Sequence, residues 1–431
     1  MEQHTKFYHL NSTACIVVIA GMAFVLRLLI GMCYYNTFDL GGYNIPWAIG
    51  MQDGLFSAYS RLDNLDYPPM FPFLLSFLGG AVEYAQNGGD SQLLMLLIKL
   101  VPIVFDTAIV VVLYFVGLRY SQTLALLLSV VWALNPSSIL NCAMWGQTDS
   151  MLLLFVGLTF LAFYDKRPAY ACVFFALGCL AKLQMAYFAP VLLCELFFCY
   201  RPKRALSSLG IGVGVGLLGW LPFMIGSRDV FLPFRIYFGG FNSYNYINLN
   251  AYNIYGLSNN NWVTDTRSVL GGTYSEQFGV NVGGFTYSHW STLLTVVLLA
   301  VLVFSYYYAY KQKIEVPAVL PALFFMNSIF MVTVKMHERY QMPVLILCLL
   351  CFVLCRDKRF FYTFLGFVAV TLCNQGMLLF SKNFGGIFNE TFDVVQQIGS
   401  AVNVALYVVM LYLYIEYYVK TPKQDAEEQS I

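Results

Sequence analysis

The stretch PAVLPALFFMNSIFMVTV (317–334), KMHERY (335–340), QMPVLILCLLCFVLC (341–355) decides the fold class of this chain. Two apolar segments flank a run of six residues that holds two cations, an imidazole and a carboxylate. Such groups are costly to desolvate at the end of a membrane helix, so the run predicts a functional site beside the bilayer. Taken alone, it fits an ordinary loop between two helices equally well.

The composition of the whole chain extends this interpretation. The 431 residues are 59% hydrophobic and 11% charged, and the mean hydropathy is +0.66. These values exclude a soluble globular domain and predict an all-α polytopic membrane protein. The net charge of +1 suggests no polyanion-binding surface. The eleven cysteines lie in or beside apolar segments, so we expect no disulfide framework, no metal site and no cofactor.

Apolar runs separated by polar residues predict about twelve membrane helices. The predicted segments are 13–33, 93–118, 121–140, 148–164, 168–181, 184–199, 205–226, 289–310, 316–334, 341–355, 360–380 and 398–418. The region 168–199 is long for one helix and short for two. We expect a single membrane domain over 1–420, followed by a short cytoplasmic tail, 421–431.

Basic clusters between the segments predict the orientation of the chain. They lie at 119, 166–167, 201–204, 311–313 and 356–359, and the positive-inside rule places all of them in the cytoplasm. An even number of crossings must then separate 167 from 201, so we expect a helical hairpin with its tip near 182–184. With both termini cytoplasmic, two large extracytoplasmic loops, 34–92 and 227–288, lie on the same side as 335–340.

Asp39 follows the first predicted helix by a few residues. A partly solvated carboxylate at the membrane boundary suits a catalytic base, because it reaches an acceptor hydroxyl while staying ionised. A helix cap or a solvated loop acid explains the same residue. Later in this loop, Tyr67-Pro68-Pro69 most simply starts a helix or turns the chain.

A second polar group follows Asn135-Pro136. Trp145, Gln147 and Asp149 combine an aromatic face with an amide and a carboxylate, which suits a sugar. Interfacial anchoring by the Trp, with Thr148 or Asp149 as a helix N-cap, is the alternative. Lys182 lies among apolar neighbours and either snorkels to the interface or pairs with a lipid phosphate.

Four isolated charges fall within predicted helices. They are Arg27, Lys99, Asp106 and Glu195. We expect Asp106, the deepest, to pair with another polar helix residue. Arg27 either faces the same pocket as Asp39 or belongs to a structural pair. The loop 227–288, rich in Tyr, Asn and Gly, has a composition that suits carbohydrate but is also ordinary for such loops.

Six short motifs occur in order along the chain. They are Phe-Asp-Leu (38–40), Tyr-Pro-Pro (67–69), Trp-Gly-Gln-x-Asp-Ser (145–150), Lys-x-Gln (182–184), Asn-Ala-Tyr-Asn (250–253) and Lys-x-His-Glu-Arg-Tyr (335–340). Together they resemble the bacterial relatives of glycosylphosphatidylinositol mannosyltransferases, in the GT-C superfamily of integral-membrane glycosyltransferases. No single motif is specific, whereas six in order are more so.

The resemblance implies a GT-C-like helical bundle in the plasma membrane with an extracytoplasmic active site. It implies inverting transfer of a hexose, mannose by family, from polyprenyl phosphate to a glycan, glycolipid or protein acceptor of the cell envelope. Asp39 matches the candidate base. The residues that match donor-phosphate positions are Lys182, Gln184, His337 and Arg339. The sugar or acceptor positions are Asp66, Tyr67, Trp145, Gln147, Asp149, Asn250, Tyr252, Asn253, Glu338 and Tyr340.

The chain also departs from family patterns. Leu40 follows Asp39 where some relatives carry a second acid, so that acid would come from Asp66 or Asp149. The Trp-Trp-Asp-Tyr-Gly motif of oligosaccharyltransferases is missing from the sequence, which argues against transfer of a large glycan to asparagine.

The expected mechanism places its cations at the departing phosphate. Arg339 offers a bidentate clamp and Lys182 a point charge, so we expect no metal requirement. A flippase or transporter for lipid-linked sugars fits the helix number as well, but predicts inverted repeats and functional residues at the bilayer midplane. A non-catalytic subunit that binds polyprenyl lipids is a third possibility, and it would not need Asp39.

Overall fold

The computed structural model describes residues 2–33, 37–242, 244–258, 260–381 and 389–420, and the expected tail 421–431 lies outside them. The described residues are mostly helical. The α-helices are α1 (Glu2–Gly31), α2 (Ile45–Gly50), α3 (Ala58–Arg61), α4 (Met70–Ser76), α5 (Gly79–Asn87), α6 (Ser91–Leu118), α7 (Gln122–Ala133), α8 (Pro136–Ile139), α9 (Asp149–Tyr164), α10 (Pro168–Ala181), α11 (Ala189–Cys199), α12 (Pro202–Ser227), α13 (Leu232–Asn242), α14 (Tyr287–Gln312), α15 (Val319–Val332), α16 (Met342–Leu354), α17 (Arg359–Ser381) and α18 (Asn389–Lys420).

The chain also forms short strands and irregular helical turns. The strands are β1 (Asn248–Leu249), β2 (Ser268–Leu270), β3 (Thr273–Ser275), β4 (Val280–Val282), β5 (Phe285–Thr286) and β6 (Met336–His337). β1 and β6 pair in parallel, whereas β2 with β5 and β3 with β4 are antiparallel. Wide helical turns span Thr37–Asn44 and Leu140–Trp145, and a tight one spans Leu183–Phe188.

Six helices of the described chain are long and apolar enough to cross a membrane. They are Thr13–Gly31, Ser91–Leu118, Pro202–Ser227, Tyr287–Gln312, Arg359–Phe380 and Val394–Lys420. A seventh span arises if Gln122–Ala133 and Pro136–Trp145, bent by 41°, count as one. Five further apolar helices have only 10–17 residues. These helices fit an integral membrane protein, while the expected total of about twelve spans stays a prediction.

The regions expected to be large loops carry secondary structure of their own. Residues 37–92 contain α2 to α5, and 227–288 contain α13 with β1 to β5. In 168–199 the helix breaks at Lys182, the expected hairpin tip, between α10 and the turn that leads into α11. On which side of a membrane each region lies stays a prediction.

The chain forms two compact units. The first contains Met1–Val156, Ala176–Leu183 and Gly214–Gly240, and the second contains Gly157–Phe175, Gln184–Val213 and Phe241–Ile431. That the chain acts as one catalytic domain over 1–420 stays a prediction. Each unit is therefore described by its own contacts.

The core of the first unit is built around a fully buried ion pair. The Arg27 Nε and Nη2 atoms each lie 2.6 Å from Asp106 Oδ2. The Arg27 Nη1 group donates to the carbonyls of Ala23 at 3.1 Å and Ala133 at 3.0 Å. These bonds connect α1 with α6 and with the end of α7. The expectation that Asp106 pairs with a polar helix residue is confirmed, and the structural alternative for Arg27 holds.

Asp106 has two further donors, which join the bent helix pair to the same point. The Trp132 indole Nε1 donates to Asp106 Oδ1 at 3.2 Å, and the Ser138 hydroxyl donates to the same oxygen. Between them, Asn135 caps α8 by accepting from the backbone N–H of Ser137 at 3.1 Å. The bend after α7 thus brings two donors to a carboxylate that water does not reach.

In the second unit, α15 and α16 are short and almost wholly buried by protein. Their bounds lie within a few residues of the predicted segments 316–334 and 341–355. Because α15 has 14 residues and α16 has 13, each is shorter than the roughly 20 residues that span a bilayer. Burial by other helices removes the need to match the bilayer thickness, since these helices contact protein rather than lipid.

We predict that Asp106→Ala sharply lowers the yield of folded protein. The substitution leaves the Arg27 charge buried without its carboxylate, which typically costs about 3–5 kcal/mol. The measurement is the monodisperse fraction in mild detergent together with the unfolding temperature. The matched control is Glu315→Ala, which removes an exposed partner of Lys166, with side chains 56% and 62% accessible, and should cost about 1 kcal/mol or less.

The double variant Arg27→Met with Asp106→Leu tests the same cause. It removes both charges, so it should recover part of the yield that Asp106→Ala loses. An Asp106→Ala protein as stable as wild type would show that this ion pair does not hold the first unit together.

Candidate functional site

Asp39 lies in the wide turn Thr37–Asn44 that follows α1, with its side chain half-buried. Its Oδ2 atom accepts a hydrogen bond from Trp145 Nε1 at 2.6 Å and one from Gln147 Nε2 at 3.2 Å. The structure thus brings Asp39 together with Trp145 and Gln147, which follow it by more than 100 positions in the sequence. Two donors on one carboxylate oxygen fix the orientation of the carboxylate.

Gly146 makes this arrangement possible. It ends the turn Leu140–Trp145 with a φ of +84°, a left-handed conformation that favours glycine. A Cβ atom at this position would lie 3.0 Å from Leu40 Cδ2 and 3.1 Å from Lys99 Cγ. The sharp turn therefore sends the side chains on either side of Gly146, those of Trp145 and Gln147, to the same carboxylate.

A second ion pair lies in the same unit. Lys182 Nζ lies 2.5 Å from Asp149 Oδ1, and both side chains are buried. The Asn141 amide donates to the other oxygen, Asp149 Oδ2, at 3.0 Å. Lys182 thus pairs with an acid of the chain instead of snorkelling to the interface. Its role at a donor phosphate stays a prediction, as does the sugar-binding role of Asp149.

The sequence did not predict the contacts that Asn141 and Lys99 make in this region. Asn141 lies one helical turn before Trp145, but nothing in its immediate sequence announces a contact with Asp149. Lys99 is fully buried, and its ammonium donates to the carbonyl of Gly31 at 2.9 Å, at the end of α1. Its alkyl chain supports the Gly146 turn, a contact that only the fold creates.

The run 335–340 lies in the second unit and is held by residues 245–249. In β6, Met336 pairs with Asn248 and His337 with Leu249 of β1. The Lys335 ammonium donates to Asn245 Oδ1 at 3.1 Å and lies 3.4 Å from Asp265 Oδ2. A strand pair and a charged side chain therefore fix the position of the run.

Glu338 is the buried centre of this run. Arg339 Nη1 donates to Glu338 Oε1 at 2.7 Å, and His337 Nδ1 lies 3.8 Å from Glu338 Oε2. Burial alone would raise the pKa of the Glu338 carboxyl, but the charge of Arg339 and the nearby imidazole of His337 outweigh it and lower the pKa to about 2. The carboxylate thus stays charged at neutral pH and orients both neighbours.

The rings of two tyrosines lie beside His337 and Arg339. The ring of Tyr244 meets that of His337 edge-on at 4.8 Å between centroids. Tyr340 lies beside both, with its ring 4.9 Å from that of His337 and 5.7 Å from the guanidinium carbon of Arg339. Flat rings next to a guanidinium and an imidazole form a surface that suits a sugar or a phosphate ester.

The motif 250–253 uses most of its amide groups inside the protein. Asn250 Oδ1 accepts from Asn261 Nδ2 at 2.6 Å and from Trp262 Nε1 at 3.1 Å. Asn253 Oδ1 accepts from the backbone N–H of Tyr255 at 3.0 Å. The Tyr252 hydroxyl is buried and has no hydrogen-bond partner among the described residues. Their expected contact with a sugar stays a prediction, and Tyr252 keeps a polar atom for it.

Amide side chains from the apolar helices clamp the backbone of this motif. Asn374 of α17 donates to the carbonyl of Asn250 at 2.6 Å and accepts from the N–H of Tyr252 at 3.1 Å. Asn403 of α18 donates to the Tyr252 carbonyl at 2.6 Å and to Gln341 Oε1 at 2.9 Å. A buried amide needs partners, so isolated Asn and Gln in apolar helices were the signal for this clamp.

The remaining predicted residues occupy other places. The Tyr67 carbonyl accepts from the Tyr59 hydroxyl at 2.6 Å, and its ring packs against Trp47 at 5.6 Å in the first unit. Desolvation by the surrounding residues raises the pKa of the neighbouring Asp66. Gln184 is half-buried in the turn Leu183–Phe188 of the second unit. Their functional roles stay predictions.

A further feature of the two sites is whether they have the ligands to hold a metal ion. Within the described ranges, no three His, Cys, Asp or Glu side chains lie close enough together to hold a metal ion. Asp39 is held by Trp145 and Gln147 in one unit, and Glu338 pairs with Arg339 in the other.

Comparison with known proteins adds one distant likeness. No family model matches the chain. Over 190 residues, 42% of this chain, it is 26% identical to the human Dol-P-Man:Man(5)GlcNAc(2)-PP-Dol alpha-1,3-mannosyltransferase. The matched part spans 41% of that curated relative. This similarity supports a distant relationship to mannosyltransferases and agrees with the glycosyltransferase activity that the motifs suggest, while the narrower resemblance to bacterial and glycosylphosphatidylinositol-linked members stays a prediction.

We predict that Glu338→Gln changes how stability depends on pH. The pKa of Glu338 in the folded protein, about 2, lies below its ordinary value of 4.5, so its contribution is present above pH 4.5 and disappears as the pH falls towards 2. At pH 7 the variant should be less stable than wild type, by about 1.5–3 kcal/mol. The difference should shrink between pH 5 and pH 3, measured as unfolding temperature in detergent.

The control for this measurement is Glu83→Gln, at an exposed position of α5. It should leave the pH profile of the wild type unchanged. A gap between wild type and Glu338→Gln that stays constant from pH 7 to pH 3 would contradict the role of Glu338 as a buried counter-charge.

Proposed function

We propose that this protein is an integral-membrane glycosyltransferase of the GT-C type. It transfers a hexose, with mannose as the first candidate, from polyprenyl phosphate to a hydroxyl of an extracytoplasmic acceptor. The observation that carries the proposal is the carboxylate of Asp39, oriented by Trp145 and Gln147 beside the end of a membrane helix. The likeness to a Dol-P-Man-dependent enzyme supports a lipid-linked sugar as the donor class.

In this proposal Asp39 acts as the general base. The acceptor oxygen attacks C1 of the sugar while its proton passes to the Asp39 carboxylate. The bond between C1 and the phosphate oxygen breaks, and its electron pair stays on the phosphate. Attack opposite to the leaving group inverts the configuration at C1. A base held by two donors needs no reorientation during proton transfer, which favours the reaction.

Trp145 and Gln147 have a second task in the same proposal. We propose that the C–H side of the sugar ring packs against the Trp145 indole, which exposes 4% of its surface beside the carboxylate. The Gln147 amide keeps a carbonyl oxygen that accepts a sugar hydroxyl. Both residues therefore link the position of the sugar to the orientation of the base.

We propose that Arg339 recognises the donor phosphate. A guanidinium has five N–H donors in a rigid fork, which matches the oxygens of a phosphate. The Glu338 carboxylate holds the Nη1 edge of this fork at 2.7 Å, and Tyr340 lies beside its plane. An oriented cation stabilises the negative charge that develops on a departing phosphate oxygen.

We predict that Asp39→Asn abolishes the release of polyprenyl phosphate from labelled polyprenyl-phosphate sugars. Loss of a general base typically costs 10²–10⁴ in rate, on the order of several kcal/mol. The assay compares purified wild type and variant with a crude envelope fraction as acceptor, across a panel of sugars. The control is Asp63→Asn, an exposed acid in the same region, which should keep wild-type turnover.

Donor binding is measured on the same proteins. A folded Asp39→Asn variant that binds the donor but leaves it intact supports the transferase. If Asp39→Asn turns over like wild type, Asp39 is not the base. If wild type binds donors without cleaving them in any acceptor fraction, a flippase or a lipid-binding subunit replaces the transferase.

We predict separately that Arg339→Ala lowers turnover by about 10²–10³, far more than it lowers the folding yield. Arg339→Lys should recover only part of this loss, because an ammonium lacks the planar fork. The matched control is Lys203→Ala, which removes an exposed cation of α12. Unchanged turnover in a well-folded Arg339→Ala protein would reject the role of Arg339 at the phosphate.

A further inference from the structure

Three phenylalanines are exposed along α13 and at the residue before it, with Arg235 at their edge. Phe231, Phe234 and Phe238 expose 73%, 61% and 64% of their surfaces, at a spacing that places them on one side of a helix. Leu232, on the other side, is fully buried. The helix is thus apolar on the side away from the protein, the reverse of a helix that faces water.

α13 is joined to the end of a membrane helix by a tight turn. α12 ends at Ser227, and Arg228 takes a left-handed φ of +54°, with its N–H donating to the carbonyl of Ile225 at 3.2 Å. The Asp229 N–H donates to the carbonyl of Met224 at 3.0 Å, which closes the turn. The four residues 228–231 reach about 14 Å at most when extended, so α13 begins close to the membrane surface.

The charges of the turn suit the headgroup region. The Asp229 carboxylate accepts from the N–H of Phe231 at 2.9 Å, and its other oxygen lies 2.9 Å from Arg235 Nη2. Arg228 and Arg235 bring two guanidinium groups to this level. Basic residues beside an apolar aromatic face are typical of helices that lie in the plane of a membrane.

We propose that α13 is an in-plane membrane helix whose phenylalanine face lies among the acyl chains of the leaflet at which α12 ends. The exposed fractions of these phenylalanines, 61–73%, are similar to those of Leu218 and Ile225 of α12, both 69%, which belong to a candidate membrane span. Continuity with that span identifies the occupant as the bilayer.

The protein-facing side of α13 ties it to the end of α10. The Tyr237 hydroxyl donates to the carbonyl of Cys179 at 2.7 Å. Gly240 lies so close to Leu183 that a Cβ atom would meet its Cδ1 at 2.3 Å. Lys182 lies between these two contact points in the sequence, so α13 connects the lipid surface with the segment that carries the Lys182–Asp149 pair.

The test replaces Phe234 with p-benzoylphenylalanine, a photoreactive residue of similar shape. The full chain is placed in nanodiscs of phosphatidylethanolamine and phosphatidylglycerol and illuminated, and adducts are identified by intact mass. The reference position is Leu218, and the water-facing control is Glu276, an exposed residue in the turn between β3 and β4. We expect phospholipid adducts at 234 and 218, at least ten times more than at 276.

Two outcomes would overturn the proposal. If 218 captures lipid and 234 does not, the phenylalanine face lies in water. If 234 captures a second copy of the chain, detected as a cross-linked dimer, the face is an interface between copies. The measurement needs no turnover, so it stands or fails independently of the proposed transferase activity.

Discussion

The buried pair of Arg27 and Asp106 is the constraint on which the first unit depends. Two opposite charges without access to water are tolerated only if every remaining donor and acceptor finds a partner. Arg27 reaches the carbonyls of α1 and α7, and Asp106 receives Trp132 and Ser138. Because these partners come from both sides of the bend after α7, the pair also determines where the chain leaves that bend towards Trp145. The orientation of Asp39 thus rests on a contact that takes no part in chemistry.

The sequence predicts local features of this protein well. The apolar runs flanking 335–340 locate α15 and α16 within a few residues, and the helix in 168–199 breaks at Lys182, near the predicted tip at 182–184, while the hairpin itself stays a prediction. Partners were harder to predict, since Arg27 meets Asp106 from 79 positions away and Trp145 meets Asp39 from 106. An isolated charge in an apolar segment announces that a partner exists, but its identity depends on the packing of helices.

The contacts of the motif 250–253 differ from the sequence-based prediction for another reason. An Asn-rich segment suits carbohydrate by composition, yet the side-chain oxygen of Asn250 accepts from the Asn261 and Trp262 side chains, and that of Asn253 accepts from the backbone N–H of Tyr255. Asn374 and Asn403 clamp the same segment from apolar helices, and β1 then positions β6 with His337. The run 335–340 is therefore held by amides that look like binding residues in the sequence. Neutral amides suit this task because they satisfy backbone groups without adding charge to a low-dielectric interior.

Lys182 and Arg339 each form an ion pair, and these pairs bear on which of the two side chains recognises a phosphate. Lys182 is paired with Asp149, and Arg339 with Glu338, so each cation already has a counter-charge. An ammonium is a compact point charge, so a phosphate must share or displace the acid that neutralises it. A guanidinium is planar and presents its donors on separate edges, so it binds an acid on one edge and a phosphate on another. Glu338, held charged by its neighbours, then orients the fork without competing for all of it. This geometry is the physical reason to assign phosphate recognition to Arg339 before Lys182.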